Sequence, residues 1–242
     1  MSSSRLLSPL YLLSLSLVLQ LALGDTPLGY TCFDSGNFTS SDLYNQNLDN
    51  LLGLLDLKTP QCGFDSETVG QYQDLSYGLA LCRGDVNAIA CQACVDEATK
   101  EIQNLCPNKK AAAIWYDFCQ VKYSNVNFMG LVNNQVTVVL TNTASASNPD
   151  YFNGKVIQLI GELKEEASAS PMLYAAGALD IGYSITIYGQ VQCTRDLSGT
   201  SCVECIDFAT KVIVQDAYGK LGARFLGESC DVRFEIYPFV FA

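Results

Sequence analysis

The cysteines of this chain repeat at a fixed spacing, and that repeat constrains the fold more than any other feature. Four cysteines of the first half recur 111 positions later in the second half. The first set is Cys82, Cys91, Cys94 and Cys119, and the second set is Cys193, Cys202, Cys205 and Cys230. Each set reads C-x8-C-x2-C, with its last cysteine 25 residues after the third. Because a fixed period indicates duplicated units, we predict two tandem domains of normal size, residues 25–132 and 133–242.

The first 24 residues have the pattern of a secretory signal peptide. Arg5 is the one charged residue before Asp25, and the apolar stretch between them ends with the small residues Ala22 and Gly24. Such a segment is typically removed on secretion, although a signal retained as a membrane anchor is the alternative. No later stretch approaches the roughly 18 apolar residues of a spanning helix. We therefore predict a secreted chain without a membrane span, in a compartment where disulfides persist.

Each predicted domain contains two helical patterns and several strand patterns. The first helix follows Asp42 and is predicted to stop at Pro60, and Asn148-Pro-Asp150 opens its counterpart. A second helix is predicted to begin at each CxxC. β-Branched and aromatic residues predict strands at 136–140, 183–188 and 232–237. This pattern indicates an α+β fold, in which each domain is an antiparallel sheet with two helices packed on one face.

The composition argues against several classes of function. The chain has no His, which excludes a Ser-His-Asp triad, a Cys-His dyad and an imidazole metal site. Its net charge of −11 argues against nucleic-acid binding. A CxxC can form a redox centre or a zinc site, but those need a thioredoxin-like βαβ setting or two close CxxC pairs. We expect a protein that is not an enzyme and that has no metal or cofactor.

Two longer motifs carry a family resemblance: IYGQVQCTRDLS at 187–198 and CDVRFEIYP at 230–238. Together with the cysteine spacing, they resemble the tandem ginkbilobin-homologous (Gnk2-homologous, DUF26) domains of land plants. That family includes ginkbilobin, the ectodomains of cysteine-rich receptor-like kinases and plasmodesmata-located proteins. The chain is most similar to its cysteine-rich repeat secretory proteins, and the resemblance covers nearly all of the sequence after residue 24.

The resemblance implies how the cysteines pair and which one is left over. The implied bridges are Cys32–Cys106, Cys82–Cys91 and Cys94–Cys119 in the first domain, and Cys193–Cys202 and Cys205–Cys230 in the second. The third bridge of the second domain is missing together with both of its cysteines. Cys62 remains, either as a buried and inert thiol or as an exposed one open to glutathionylation or an intermolecular bridge.

The resemblance also implies a sugar site. Ginkbilobin binds mannose through an Asn directly after the first Cys, an Arg and a Glu, and these side chains suit sugar hydroxyls. Arg224 and Glu235 occupy the Arg and Glu positions of the second domain. The Asn position there falls on Ala144 or Thr141, depending on the alignment. In the first domain the three positions hold Phe33, Ala113 and Ser124, so no sugar is expected there.

Three interpretations of function follow from these residues. In the first, this is a non-enzymatic apoplastic protein that binds a mannose-type carbohydrate or a cell-surface ligand in defence or stress signalling. In the second, the chain associates with receptor ectodomains of the same fold through the inter-domain sheet or an exposed edge strand. In the third, the chain is an enzyme, although no nucleophile-base pair or metal cluster is visible in the sequence. For the site itself, the alternative is that Arg224 and Glu235 form only a surface ion pair across neighbouring strands. Asn37 starts the sequon Asn37-Phe-Thr39 and is the predicted glycosylation site.

Overall fold

The computed structural model describes residues 26–135, 137–182 and 184–240, so the predicted signal peptide lies outside the described residues. The first domain contains, in chain order, β1 (Gly29–Cys32), α1 (Leu43–Cys62), β2 (Phe64–Val69), a 3₁₀ helix (Tyr72–Asp74), β3 (Ser76–Cys82), α2 (Ala88–Leu105), β4 (Ala111–Trp115) and β5 (Cys119–Ser124). The second domain contains β6 (Thr137–Thr141), α3 (Pro149–Ala169), β7 (Tyr174–Asp180), β8 (Thr186–Cys193), α4 (Gly199–Asp216), β9 (Ala223–Gly227) and β10 (Cys230–Glu235).

Each domain is a five-stranded antiparallel sheet with two helices against one face, which confirms the predicted fold class. The strand order is β1-β4-β5-β3-β2 in the first sheet and β6-β9-β10-β8-β7 in the second. Successive side chains of a strand point to opposite faces of its sheet. In β5, Val121 and Tyr123 accordingly pack with the helices, whereas Gln120 and Lys122 point to the other face. The sheet therefore presents one apolar face to the helices and one mixed face away from them.

The first helix extends past its predicted stop at Pro60. It ends at Gly63, whose φ of 78° allows its N–H to bond the carbonyl of Thr59 at 2.7 Å. Pro60 removes the helical bond to the carbonyl of Asp56, and the side-chain amide of Gln92 donates to that oxygen at 3.3 Å. The left-handed glycine, and not the proline, therefore sets the end of α1.

The second helix of each domain begins about one turn before its predicted start at the CxxC. Asn87 caps α2 by accepting the N–H of Ala90 at 2.9 Å, and Ser198 caps α4 by accepting the N–H of Ser201 at 3.1 Å. A side-chain oxygen at this position satisfies an amide of the first turn that has no helical partner. The caps therefore fix both starts, and each CxxC lies within its helix. The predicted start of α3 is confirmed, since Asn148 caps it.

The strand predicted at 183–188 begins only at Thr186 and then continues to Cys193. Ser184 has a φ of 58°, and the N–H of Ile185 bonds the carbonyl of Gly182 at 3.0 Å. These features belong to a turn, so Ile185 is part of that turn and the strand starts one residue later. β6 and β10 overlap the strands predicted at 136–140 and 232–237.

Five disulfides join the helices to the sheets. They are Cys32–Cys106, Cys82–Cys91, Cys94–Cys119, Cys193–Cys202 and Cys205–Cys230, the same pairs that the family resemblance implies. In the second domain the residue after α4, at the place of Cys106, is Ala217, which is buried. The second domain thus fills this position with apolar packing in place of a bridge.

The two sheets pack against each other through the faces that point away from the helices. Trp115 of β4 and Leu226 of β9 form the centre of an apolar cluster between them, with Val138 beside it. The indole N–H of Trp115 donates to the carbonyl of Gly227 at 3.0 Å. The two domains therefore share an apolar, hydrogen-bonded contact at the middle of the interface.

Polar side chains surround this apolar centre and are also buried. Lys122 of β5 and Glu228 between β9 and β10 form an ion pair at 2.5 Å, with side chains 8% and 1% exposed. The amide of Gln192 donates to the carbonyl of Cys82 at 2.9 Å. These contacts cover the sheet faces between the domains. The prediction that a receptor ectodomain binds the inter-domain sheet is therefore wrong, and only the edge strands remain as a candidate surface for such a partner.

Among the described residues, no helix is long and apolar enough to cross a membrane.

Candidate functional site

A cleft of about 380 Å³ lies beside β9 and β10 of the second domain. Its walls include both residues that the sequence predicted for a sugar, Arg224 and Glu235, and also Asn142 just after β6. The first domain contributes Leu28 and Asp117 to the lining. The cleft therefore lies where the two domains meet.

The backbone register places Asn142 at the position of the family's asparagine. In the first domain Phe33, the residue after the first cysteine, donates its N–H to the carbonyl of Ala111 at 3.0 Å. In the second domain Asn142 donates its N–H to the carbonyl of Gly222 at 2.8 Å. Residues 111 and 222 are one repeat period apart. The Asn, Arg and Glu that the resemblance implies for a sugar site thus all line one cleft.

The sequence alone does not assign Asn142 to this position, because the signal that marks it is absent. Thr141 occupies the place of Cys32, since the two pair with equivalent residues, Ala223 and Ala112. The strand register therefore assigns the Asn position to residue 142, one residue after Thr141 and two residues before Ala144. Only hydrogen bonding between strands defines this alignment, and sequence spacing alone does not.

Glu235 lies at the end of β10 with 9% of its surface exposed. Its Oε1 accepts a hydrogen bond from Nη2 of Arg233 at 3.4 Å. Its Oε2 is buried and has no hydrogen-bond partner among the described residues. A buried carboxylate oxygen without a donor is costly, and this oxygen of Glu235 lies against Gly222 at the wall of the cleft.

Gly222 allows the Glu235 carboxylate to sit where it does. A Cβ atom at position 222 would overlap Oε2 of Glu235. Any other residue at this position would therefore push the carboxylate away from the backbone.

Arg224 is 7% exposed and is bound by two aspartates. Its Nε donates to Asp231 at 2.8 Å, and its Nη1 donates to Asp117 of the first domain at 2.5 Å. Burial opposes the charge of Arg224, but the carboxylates of Asp231 and Asp117 outweigh it and raise the pKa above its ordinary value. Arg224 therefore stays charged and joins the domains. The interpretation as an Arg224–Glu235 ion pair is wrong, because Glu235 pairs with Arg233.

Two further residues of the cleft had no signal in the sequence analysis. Arg233 donates to Asp117 at 3.2 Å, to Glu235, and to the hydroxyl of Tyr237 at 3.4 Å. Tyr237 is 47% exposed and lines the cleft. Strand alternation can place Arg233 at the cleft only once the register of β10 against β9 is known. In that register, Arg233 lies directly opposite Arg224.

The equivalent positions of the first domain serve the domain interface. Phe33 and Ala113 belong to the apolar cluster around Trp115 and Leu226. The hydroxyl of Ser124 accepts the N–H of Val126 at 3.0 Å. The first domain therefore uses the surface that corresponds to the cleft for packing.

The two other sequence-predicted residues lie away from the cleft. Cys62 is free and exposed, so the interpretation as a buried thiol is wrong. The carbonyl of Cys62 accepts a hydrogen bond from Nη1 of Arg195 at 2.7 Å. Asn37 is exposed, in a single bridge with Lys109.

The fold and the cleft define a class of protein: a disulfide-linked tandem α+β module with a polar cleft in its second domain. The chain belongs to the salt stress response/antifungal family, whose model matches residues 31–126 and 140–237. It is 45% identical over 240 residues to an antimicrobial ginkbilobin-2-like protein from Castanea crenata, covering 99% of both chains. It is 39% identical over 232 residues to cysteine-rich repeat secretory protein 38 from Arabidopsis thaliana, covering 95% of this chain and 92% of the relative.

A solved structure shares the architecture. The tandem DUF26 ectodomain of the Arabidopsis thaliana cysteine-rich receptor-like protein PDLP8 superposes with a TM-score of 0.77 at 18% identity. The match covers 88% of this chain and 100% of that one. At this identity, the similarity shows the fold.

Proposed function

We propose that this chain is a secreted, non-catalytic plant protein of defence or stress responses that binds a mannose-type carbohydrate in the cleft of its second domain. The observation that carries the proposal is the convergence of Asn142, Arg224 and Glu235 on one cleft. Its volume of about 380 Å³ falls in the range of small-molecule sites.

Secretion to the apoplast is part of the proposal. The signal-like residues 1–24 and the five disulfides support it, because such bridges persist in oxidising compartments. The name of the Arabidopsis relative, a secretory protein, agrees with this location.

Glu235 and Asn142 would make the main hydrogen bonds to the sugar. The carboxylate of Glu235, which lines the cleft, would accept from a hydroxyl, and a charged acceptor gives one of the stronger hydrogen bonds. The side-chain oxygen of Asn142 already accepts the N–H of Ala144 at 2.9 Å, which directs its amide group as a donor. Arg224 positions the site through Asp117 and Asp231.

A binding titration with methyl α-mannoside tests the proposal. We expect saturable binding to the full mature chain, and a loss of at least about tenfold in affinity in Glu235→Gln and in Asn142→Ala. Glu162→Gln, on the exposed face of α3, is the matched control and should bind as the parent does. No binding of mannosides by the folded parent, or equal binding by all variants, would overturn the proposal.

Association with receptor ectodomains is the second candidate function, and a terminal strand of a sheet offers a surface for it. β2 is a terminal strand that pairs with β3 on one side only. A terminal strand can accept a further strand from a partner. Co-purification with an ectodomain of the same fold, abolished by Thr68→Pro in β2 and unaffected by Glu235→Gln, would support this function in place of the first.

A further inference from the structure

A second cavity in the same domain is separate from the carbohydrate cleft. It has a volume of about 570 Å³ and lies between the segment before α3, the first turns of α3 and the β7–β8 connection. Most of its lining is apolar and includes Ala146, Phe152, Ile181, Ile185 and Leu221. None of these residues lines the cleft around Glu235.

Comparison of the two domains identifies the residue that fills this place in the first domain. Phe38 donates its N–H to the carbonyl of Asn108 at 3.0 Å, and Ala146 donates its N–H to the carbonyl of Gly219 at 2.8 Å. Residues 108 and 219 are one repeat period apart, and both have a positive φ, 62° and 70°. Ala146 therefore stands at the position of Phe38.

In the first domain, side chains of the chain itself occupy this space. The ring of Phe38 is 8% exposed and packs against the ring of Tyr44, with 5.4 Å between centroids. The ammonium of Lys110 lies 5.2 Å from the centre of the same Tyr44 ring. One aromatic ring and one long side chain thus cover Tyr44.

In the second domain, each of these three positions is replaced. Phe152 takes the place of Tyr44, as the buried residues that follow them in α3 and α1 have the same spacing. Leu221, one period after Lys110, takes the place of the lysine. With Ala146 in place of Phe38, the covering ring is gone, and the remaining walls are more apolar than in the first domain.

Hydrogen bonds fix the positions of the cavity walls. The hydroxyl of Tyr151 in α3 donates to the carbonyl of Ile181 at 3.1 Å, which links the helix to the β7–β8 connection. The bond from Ala146 to Gly219 fixes the opposite wall. Apolar cavities in proteins can bind small aromatic molecules.

We propose that this cavity binds a small aromatic molecule that carries a hydroxyl group. The aromatic part follows from the first domain, where a phenyl ring of the chain fills the equivalent place. The hydroxyl follows from the side chains of Ser145, Ser147 and Asn148, which line the cavity beside its apolar part. The volume is within the range of ligand pockets and exceeds that of one ring.

A methyl NMR titration of the full mature chain with 2-naphthol tests this proposal. We expect saturable shifts of the methyl groups of Ile181, Ile185 and Leu221, with a dissociation constant on the order of 1 mM or lower. Ala146→Phe should restore the ring of the first domain and weaken binding at least about tenfold. Ala146→Leu, a smaller replacement, serves if the Phe variant does not fold, and Ala146→Ser is the matched control that keeps the cavity.

The outcomes are distinct. Loss of binding in Ala146→Phe or Ala146→Leu, with binding retained in Ala146→Ser, supports the proposal. An absence of saturable shifts at these methyl groups in the parent chain overturns it, and so does unchanged binding in the folded Phe or Leu variant. Methyl α-mannoside should leave the same methyl groups unshifted, so this result is independent of the carbohydrate proposal.

Discussion

Nη1 of Arg224 in β9 donates to Oδ1 of Asp117 in the first domain, at 2.5 Å. Asp117 also accepts from Arg233 at 3.2 Å and lies 3.5 Å from Nη1 of Arg83. One aspartate of the first domain thus bonds two arginines of the second, next to the cleft that contains Glu235. The geometry of the cleft therefore depends on the contact between the domains.

Asp117→Asn should destabilise the protein by about 1–3 kcal/mol, because it weakens charge-assisted bonds to the buried Arg224. Unfolding in urea, followed by circular dichroism, measures the change. Asp207→Asn, which removes an exposed ion pair with Lys164 on the outer helices, is the control and should cost no more than about 1 kcal/mol. Equal effects of the two substitutions would mean that Asp117 is not a structural link.

Gly222→Ala should weaken methyl α-mannoside binding at least about tenfold while the protein stays folded. The new Cβ would overlap Oε2 of Glu235 and displace the carboxylate that accepts from the sugar. Gly154→Ala in α3, where a Cβ meets nothing within 4 Å, is the matched control. If Gly222→Ala binds the mannoside like the parent, the placement of Glu235 does not matter for the ligand.

Leu226→Ala should destabilise the protein by about 2–5 kcal/mol, the usual cost of a cavity left by a buried leucine. Leu226 packs on Trp115 between the sheets, and Trp115 is the one tryptophan of the chain. We also expect its fluorescence to shift to longer wavelength as water enters the interface. Leu131→Ala, at a side chain 63% exposed, is the control and should change neither quantity. If Leu226→Ala changes neither the fluorescence maximum of Trp115 nor the free energy of unfolding, this would argue against the packed interface.

Stability should fall as pH rises from about 10 towards 12. Burial raises the pKa of Tyr44 to about 12, and it also raises the pKa of Tyr123 and Tyr174 above the ordinary tyrosine value. The folded state therefore holds these protons more tightly than the unfolded state, so the stabilisation is complete below the unfolded pKa and is lost through the folded one.

Urea unfolding at a series of pH values, with tyrosinate absorbance recorded alongside, checks this dependence. Tyr44→Phe should reduce the slope of the free energy of unfolding against pH. Tyr72→Phe, at a side chain 89% exposed, should leave it unchanged. A free energy of unfolding that rises from about pH 10 towards 12 would contradict the raised pKa of these tyrosines.

Alkylation without prior reduction should modify Cys62 alone. The ten other cysteines are in disulfides, and Cys62 is exposed. Peptide mass spectrometry locates the label, and Cys62→Ser should remain unlabelled while keeping the same thermal stability to within about 0.5 kcal/mol. A label on any other cysteine would contradict the pairing described above.

Much of the fold could be predicted because local patterns determine it. The repeat of the cysteines indicated two equal domains, and the spacing of Leu48, Leu51 and Leu55 indicated the buried face of α1. The end of α1 depended on the left-handed Gly63, which a rule based on Pro60 alone does not detect. The starts of α2 and α4 depended on Asn87 and Ser198, caps that precede the CxxC by a few residues.

The contact between the domains could not be predicted, because the polar residues around its apolar centre look like solvent-facing ones. Gln120, Lys122, Gln190 and Gln192 alternate with apolar residues along their strands, a pattern typical of a sheet with one wet face. In the structure these polar side chains are buried between the sheets. For the same reason, the sequence could not show that Arg224 is held by Asp117.

The most direct test of the carbohydrate cleft is an amide NMR titration of the mature chain with methyl α-mannoside. We expect saturable shifts for Asn142, Gly222 and Glu235, with no shift for Phe33 and Ser124 at the equivalent positions of the first domain. Saturable shifts confined to other surfaces, or no saturable shift at Asn142 and Glu235, would contradict this expectation.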